Sequence, residues 1–288
     1  MLKSYYSKYW FKEHQSSAEL LMHKAFIWAA GFVYRLKYRK DLKKTERFGI
    51  DARRANCNRK VFVFANGPSL RDIDLQKVAE LKRNGYDLIA INSFVSKSAH
   101  IVKPDYVVFA DKIHFGLKST DNEQYANDLR WCAANNVIVL APVQYIHLVE
   151  ADNKVAFNAF ANTYSRNTVD ISRSLGFYPL TALYALAIAK FLGYQDIYIS
   201  GYDNSYFKSF EITEKNGVSL MHPHYYDEQG SNTAVDRSWA PTSEIFFDFY
   251  RHFKYIEKVV SGVGGVYNIS KQTYLNTLPR NTGLDVYK

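Results

Sequence analysis

From residue 60 onward, short apolar runs alternate with longer amphipathic stretches. Residues 61–65, 87–91, 106–110, 137–141, 197–200 and 266–269 carry the near-continuous apolar pattern of strands covered on both faces. Between them, apolar positions recur at helical spacing. Asp74 is placed to cap a helix that ends before Gly85, with Leu75, Val78 and Ala79 on one side. Thr181 is placed to cap a helix running to Leu192 and stopped by Gly193. Its expected buried stripe is Leu183, Leu186, Ala187 and Phe191, with Lys190 facing out. Ser243 is placed to cap a later helix reaching about Val260. The alternation predicts an α/β domain over 60–288, a mostly parallel sheet with helices on both faces.

Two stretches escape the alternation. Residues 150–180 have few periodic apolar positions, and residues 204–242 are rich in Tyr, His and Asp. Long irregular segments in a compact domain are often lids or binding loops, so both are candidates to cover the substrate, with a lid expected at about 204–242.

Residues 1–59 read as a separate, basic amphipathic arm. Leu20, Leu21, Ala25, Trp28, Ala29 and Phe32 recur at helical spacing, but Glu19, His23, Lys24 and Arg35 interrupt them. A spanning helix needs about 20 mostly apolar residues, which this run does not supply. A polybasic stretch from Arg35 to Lys60 follows. That pairing fits an interfacial helix on an anionic membrane surface, with residues 18–60 as the contact. The competing reading is a helix packed on the domain or on a second subunit. The N-terminus shows no basic, apolar and small-residue succession of a cleavable signal peptide.

Composition narrows the partners. The chain has 288 residues, 47% of them hydrophobic and 16% aromatic, and a formal net charge of +9. That charge favours anionic partners. No nucleic-acid module accompanies the basic run, so nucleic acid ranks third, behind the membrane and packed-helix readings, and is not an expected partner. Cys57 and Cys132 lack metal-type spacing, and a reducing cytoplasm is expected. The long aromatic helix from Ser243 has enough rings to form a homo-oligomer contact.

Polar residues close four of the expected strands: Asn66-Gly67-Pro68-Ser69, Asn92-Ser93, Asp111, and Gly201-Tyr202-Asp203. Open α/β sheets bind ligands outside the carboxyl ends of their strands. Each residue alone fits a solvated loop; together they fit one crevice. At Asn66–Ser69, Gly67 permits close backbone approach, Pro68 fixes the turn, and Ser69 with Asp72 resembles a capping box. A helix start there would offer amides to a phosphate. Neither a P-loop nor a GxGxxG fingerprint is present. His222 and His224, in Met221-His222-Pro223-His224-Tyr225-Tyr226-Asp227, lack an obvious third metal ligand. Either can serve as a general base near neutral pH, or as a structural histidine.

These blocks resemble a known family. Asn66-Gly67-Pro68-Ser69-Leu70, Asn92-Ser93-Phe94, and Leu192 to Asp203 are similar to the bacterial sialyltransferases of glycosyltransferase family 42 and related polysaccharide-locus proteins. The resemblance spans roughly Lys60 to Arg280 and leaves out residues 1–60. It implies a Rossmann-like domain of the GT-A variant type and a lid over the donor. It also implies a CMP-activated nonulosonic acid donor, inversion, and no metal or cofactor. Carried over, Asn66, Gly67, Pro68, Ser69 and Asn92 contact the nucleotide, Asp111 falls at a donor-contacting position, and Gly201 and Asp203 line the cytidine side. The resemblance makes His224 the base with His222 as its rival, and Tyr206 a phosphate-binding tyrosine. Asn204-Ser205 departs from the family's aromatic pair, which leaves Kdo as an alternative donor. The implied acceptor is a glycan or glycolipid of the bacterial surface, met in the cytoplasm at the inner membrane. Two rival readings are an archaeal-type pterin pyrophosphokinase using ATP and Mg²⁺, with Asp111 and Asp203 as its carboxylate pair, and a non-catalytic membrane-associated assembly protein.

Overall fold

Seven parallel strands form the main sheet, in the order β10-β6-β1-β2-β3-β4-β5. They are β1 (Lys60–Phe64), β2 (Tyr86–Ile91), β3 (Tyr106–Val108), β4 (Ile138–Pro142), β5 (Lys154–Phe157), β6 (Asp196–Ser200) and β10 (Val266–Asn268). A small antiparallel sheet joins β7 (Phe210–Ile212), β8 (Val218–Met221) and β9 (Ala234–Asp236). The helices are α1 (Ser17–Lys37), α2 (Arg39–Asn56), α3 (Leu75–Arg83), α4 (Phe94–Ser98), α5 (Glu123–Ala134), α6 (Thr181–Phe191) and α7 (Thr242–Val260). This computed structural model describes residues 16–116, 123–162, 164–176, 180–214, 216–221, 224–227, 234–236, 241–260, 265–280 and 283–288.

The fold is the α/β, Rossmann-like arrangement expected from the alternation. Strand side chains alternate between two cores, because successive residues point to opposite faces. Val61, Val63, Ile89, Ile197 and Ile199 pack with α6 and α7 on one face. Phe62, Phe64, Leu88 and Tyr198 pack with α3 and α4 on the other. Asp74 caps α3 as expected, its carboxylate accepting from the Gln76 amide at 2.9 Å.

Four local expectations are corrected. First, α6 is buried on every side from Leu183 to Phe191, and Lys190 faces in, its ammonium donating to the Val259 carbonyl of α7. A helix clamped between the sheet and α7 has no outward stripe. Second, α6 begins at Thr181 and α7 at Thr242, so neither Thr181 nor Ser243 stands at the cap position; for α6 it falls to Leu180, whose side chain has no acceptor to offer. Third, the stretch 150–180 contains β5, which extends the sheet beside β4. Its four residues are too few for a periodic signal. Fourth, Ser69 and Asp72 form no capping box. They lie in a one-turn 3-10 helix, Pro68–Asp72, without a side-chain cap.

The arm divides in two. Helix α2 lies along the edge strand β5 and closes it. Thr45 Oγ1 donates to the Ala156 carbonyl at 2.6 Å, and Asn56 donates to the Leu192 carbonyl at 3.2 Å. Covering an edge strand removes a template for unwanted pairing. A Cβ on Gly49 would overlap the Phe191 ring, so glycine sets the depth at which α2 docks. Helix α1 is held by a capping box between Ser16 and Glu19, and most of its surface stays exposed.

Candidate active site

The chain runs outward from β1 to β5, then returns to place β6 on the other side of β1. At that reversal the loops after β1 and β6 leave the sheet in different directions and open a crevice between them. The two loops are stitched together below its floor. The Gly67 amide donates to the Gly201 carbonyl at 3.0 Å, and the Ala65 amide donates to the Ser200 carbonyl at 2.9 Å. A Cβ on Gly67 would overlap the Asp203 carboxylate and the Gly201 carbonyl. Gly201 has φ +76°, and a Cβ there would overlap the Ala65 carbonyl. These glycines therefore let one loop approach the other.

A cavity of about 230 Å³ occupies the crevice. Asn66, Gly67, Pro68, Asn92, Gly201, Asp203, Tyr206 and His224 all line it, which gathers most of the expected site residues in one place. Ser69 lies behind the wall. Its amide donates to both Asp203 oxygens at 3.1 and 3.2 Å, its hydroxyl donates to Ser270 Oγ at 2.9 Å, and it accepts from the Gly201 amide. Asp111 is not part of this lining. It is exposed at the end of β3 and caps a one-turn helix through the Ile113 amide. His222 falls outside the described residues.

Three asparagines line the cavity, and each has a buried polar atom with no hydrogen-bond partner among the described residues: Asn66 Oδ1, Asn92 Oδ1 and Asn204 Nδ2. Buried polar groups are nearly always hydrogen-bonded, so three such atoms in side chains around one cavity call for a partner that the described residues do not supply. Asn92 and Asn204 hold left-handed backbone conformations, φ 47° and 51°. Asparagine tolerates that region better than most residues.

His224 is fixed from below. Arg71 donates from Nη2 to the carbonyls of His224 at 2.7 Å and Asp227 at 2.6 Å, and from Nε to the Tyr225 carbonyl at 2.6 Å. The His224 amide donates to Asp227 Oδ2 at 2.7 Å, and the Tyr225 amide donates to the Asn66 carbonyl at 3.0 Å. The imidazole stacks on Tyr226, ring centroids 5.1 Å apart. Burial, and secondarily the charge of Asp203, pushes the Tyr206 phenol above its ordinary pKa and keeps it a proton donor. Burial also raises the Asp203 carboxyl, against the opposing hydrogen bonds from Ser69.

Two features escaped the sequence reading. His252 lines the cavity from α7, edge-on to Tyr206 at 6.4 Å. Its signal was present: Ile245, Phe249, His252 and Ile256 recur at helical spacing, with a histidine inside an apolar stripe. The second is the N-terminus of α6. Leu180, Thr181, Ala182 and Leu183 line the cavity. With no side-chain cap at Leu180, the first-turn amides and the positive end of the helix dipole are left for an anion. Among the described residues no Lys or Arg is in the lining.

No known sequence family matches the chain, and no curated protein does. Among solved structures it is similar to the MAf glycosyltransferase from Magnetospirillum magneticum AMB-1, with a TM-score of 0.51 and 13% sequence identity. The match covers 80% of this chain and 35% of that one, so the chain spans about a third of its neighbour's length. At that identity the likeness concerns the fold, which is one that a glycosyltransferase uses.

Proposed function

We propose that this chain is a glycosyltransferase that moves a sugar acid, sialic acid or a related nonulosonate with Kdo as the alternative, from a CMP-activated donor to a glycan or glycolipid acceptor. The observation that carries the reading is the convergence on one cavity of Asn66, Asn92 and Asn204, each with a buried polar atom that has no partner among the described residues, with Tyr206 and His224. The amides suit the hydrogen-bonding edges of a nucleoside and sugar. The α6 N-terminus suits a phosphate, and a single phosphate asks for less countercharge than a diphosphate would.

In this reading a ring nitrogen of His224 takes the proton of the acceptor hydroxyl. The acceptor oxygen bonds to the anomeric carbon while the bond from that carbon to the phosphate oxygen breaks, with inversion. CMP leaves with the electron pair, and Tyr206 donates a hydrogen bond to its phosphate. A positioned base and a donor on the leaving group are each typically worth about 10²–10⁴ in rate. The pterin pyrophosphokinase reading needs two carboxylates in the crevice; Asp203 lines it and Asp111 does not. The localisation that accompanies the proposal is cytoplasmic and peripheral, at the inner membrane where such acceptors are assembled.

The test is twofold. CMP should raise the melting temperature more than UDP, GDP or ATP does, with or without Mg²⁺. The His224→Ala variant should bind CMP as the parent does and lose transfer by about 10²-fold or more. Transfer at the parental rate in that variant, or preference for another nucleotide, overturns the reading.

A further inference from the structure

Helix α1 is apolar on two opposite faces, and the fold covers only one of them. Its inner face holds Ile27, which is buried, and Gly31, which approaches the Phe160 ring. Tyr34 on the same face donates to Gln144, and His23 Nδ1 meets the Tyr164 hydroxyl at 2.6 Å. At 100° per residue the opposite side of the helix carries Leu21, Met22, Trp28, Phe32, Val33 and Leu36. All six are more than half exposed, from 52% at Leu36 to 70% at Trp28. Trp28 and Phe32 stack at 6.0 Å in that outward stripe. A contiguous exposed apolar face of this kind marks a contact surface.

Charge identifies the contact. Lys24 and Arg35 border the stripe on the Trp28 side, and Lys37 borders it on the Val33 side. Between residues 16 and 60 there are twelve Lys and Arg against four Asp and Glu, so most of the formal +9 sits on α1, α2 and the turn after them. Arg39, Lys40, Lys43, Lys44 and Arg47 at the start of α2 are exposed. An apolar stripe edged by cations is the pattern of a helix lying in an anionic lipid interface. No helix among the described residues is long and apolar enough to cross a membrane.

Position adds the consequence. Gln144 follows the carboxyl end of β4, and Phe160 and Tyr164 follow the carboxyl end of β5. Helix α1 therefore packs on the same edge of the sheet that holds the crevice. We propose that the outward stripe of α1 seats the protein on an anionic bilayer and thereby presents the crevice edge to it, so that the acceptor is an amphiphile delivered from that bilayer. The acceptor part rests on the glycosyltransferase reading; the lipid contact does not.

The full chain is floated with vesicles of phosphatidylcholine mixed with phosphatidylglycerol, and with phosphatidylcholine alone. It should float with the anionic vesicles, and high salt should weaken the association. Trp28→Glu with Phe32→Glu should cut partition by about tenfold or more, with no loss of melting temperature, because both side chains are exposed. Lys40→Glu with Lys43→Glu should remove the preference for phosphatidylglycerol. With CMP-sugar supplied, the Trp28/Phe32 pair of changes should slow transfer to a lipid-anchored acceptor in vesicles and leave transfer to a water-soluble acceptor unchanged. Failure of the parent to float overturns the lipid contact. So does a dimer by light scattering that the stripe changes dissociate, with no vesicle binding, because the stripe is then a subunit interface. CMP-induced stabilisation, measured alongside, reports on the donor reading separately.

Discussion

The Arg71 guanidinium donates to the His224 carbonyl at 2.7 Å, so an arginine next to the first strand-end turn holds the loop that brings a histidine to the crevice. The same side chain binds the carbonyls of Tyr225 and Asp227. Arg71→Ala should lower kcat by about 10- to 100-fold while CMP affinity changes little, since geometry at the base is lost and the nucleotide contacts remain. Arg71→Lys should not restore the rate, because a single ammonium cannot span three carbonyls as a planar fork does. Steady-state kinetics alongside calorimetric CMP titration checks both outcomes.

Asn66 and Asn92 each bury an oxygen that finds no partner among the described residues. Removing such a group costs the apo fold little and costs the complex a hydrogen bond, about 0.5–1.5 kcal/mol each. Asn66→Ala should therefore leave the melting temperature unchanged or raised and weaken CMP binding by up to about tenfold. Asn92 needs the glycine variant, because its φ of 47° would strain alanine. A variant that loses stability and affinity in parallel would point to a structural role instead.

Gly67 and Gly201 touch through a 3.0 Å hydrogen bond, with no room for a Cβ on either. Gly201→Ala adds a steric overlap to a left-handed backbone and should destabilise the fold by about 2 kcal/mol or more. Chemical denaturation measures this directly. The change should also abolish CMP-induced stabilisation, because both walls of the crevice would part.

Burial lowers the Lys190 amine from its ordinary 10.5 to about 8. Between those values the unfolded chain holds a proton that the folded chain has released. Stability from this group is thus fully present above about pH 10.5 and is lost as pH falls through about 8, a swing of at most about 3 kcal/mol. Lys190→Met should flatten that rise. Urea midpoints taken near pH 7 and near pH 10 for parent and variant give the comparison.

Strand positions were readable because both faces of this sheet are covered, and buried strands print as unbroken apolar runs such as Val61–Val63. The crevice was readable for a related reason: Asn66, Asn92 and Asp203 interrupt apolar runs where those runs end. What escaped depends on neighbours distant in sequence. Lys190 turns inward because α7 places the Val259 carbonyl there. Strand β5 owes its existence to β4 and α2, and no periodicity in four residues announces it. Thr45, Gly49 and Asn56 look like surface positions of a polar helix, and only their contacts with Ala156, Phe191 and Leu192 make them docking residues.

The return of the chain to place β6 beside β1 has a consequence for biosynthesis. One wall of the crevice leaves the ribosome by Ser69, while the opposing wall, Gly201 to Tyr206, follows more than a hundred residues later. Loop closure over such a separation makes this pairing slow and late. A nascent chain stalled before residue 200 would present β1 with one flank bare, a hydrophobic ribbon that invites chaperone capture and has no capacity to hold a nucleotide.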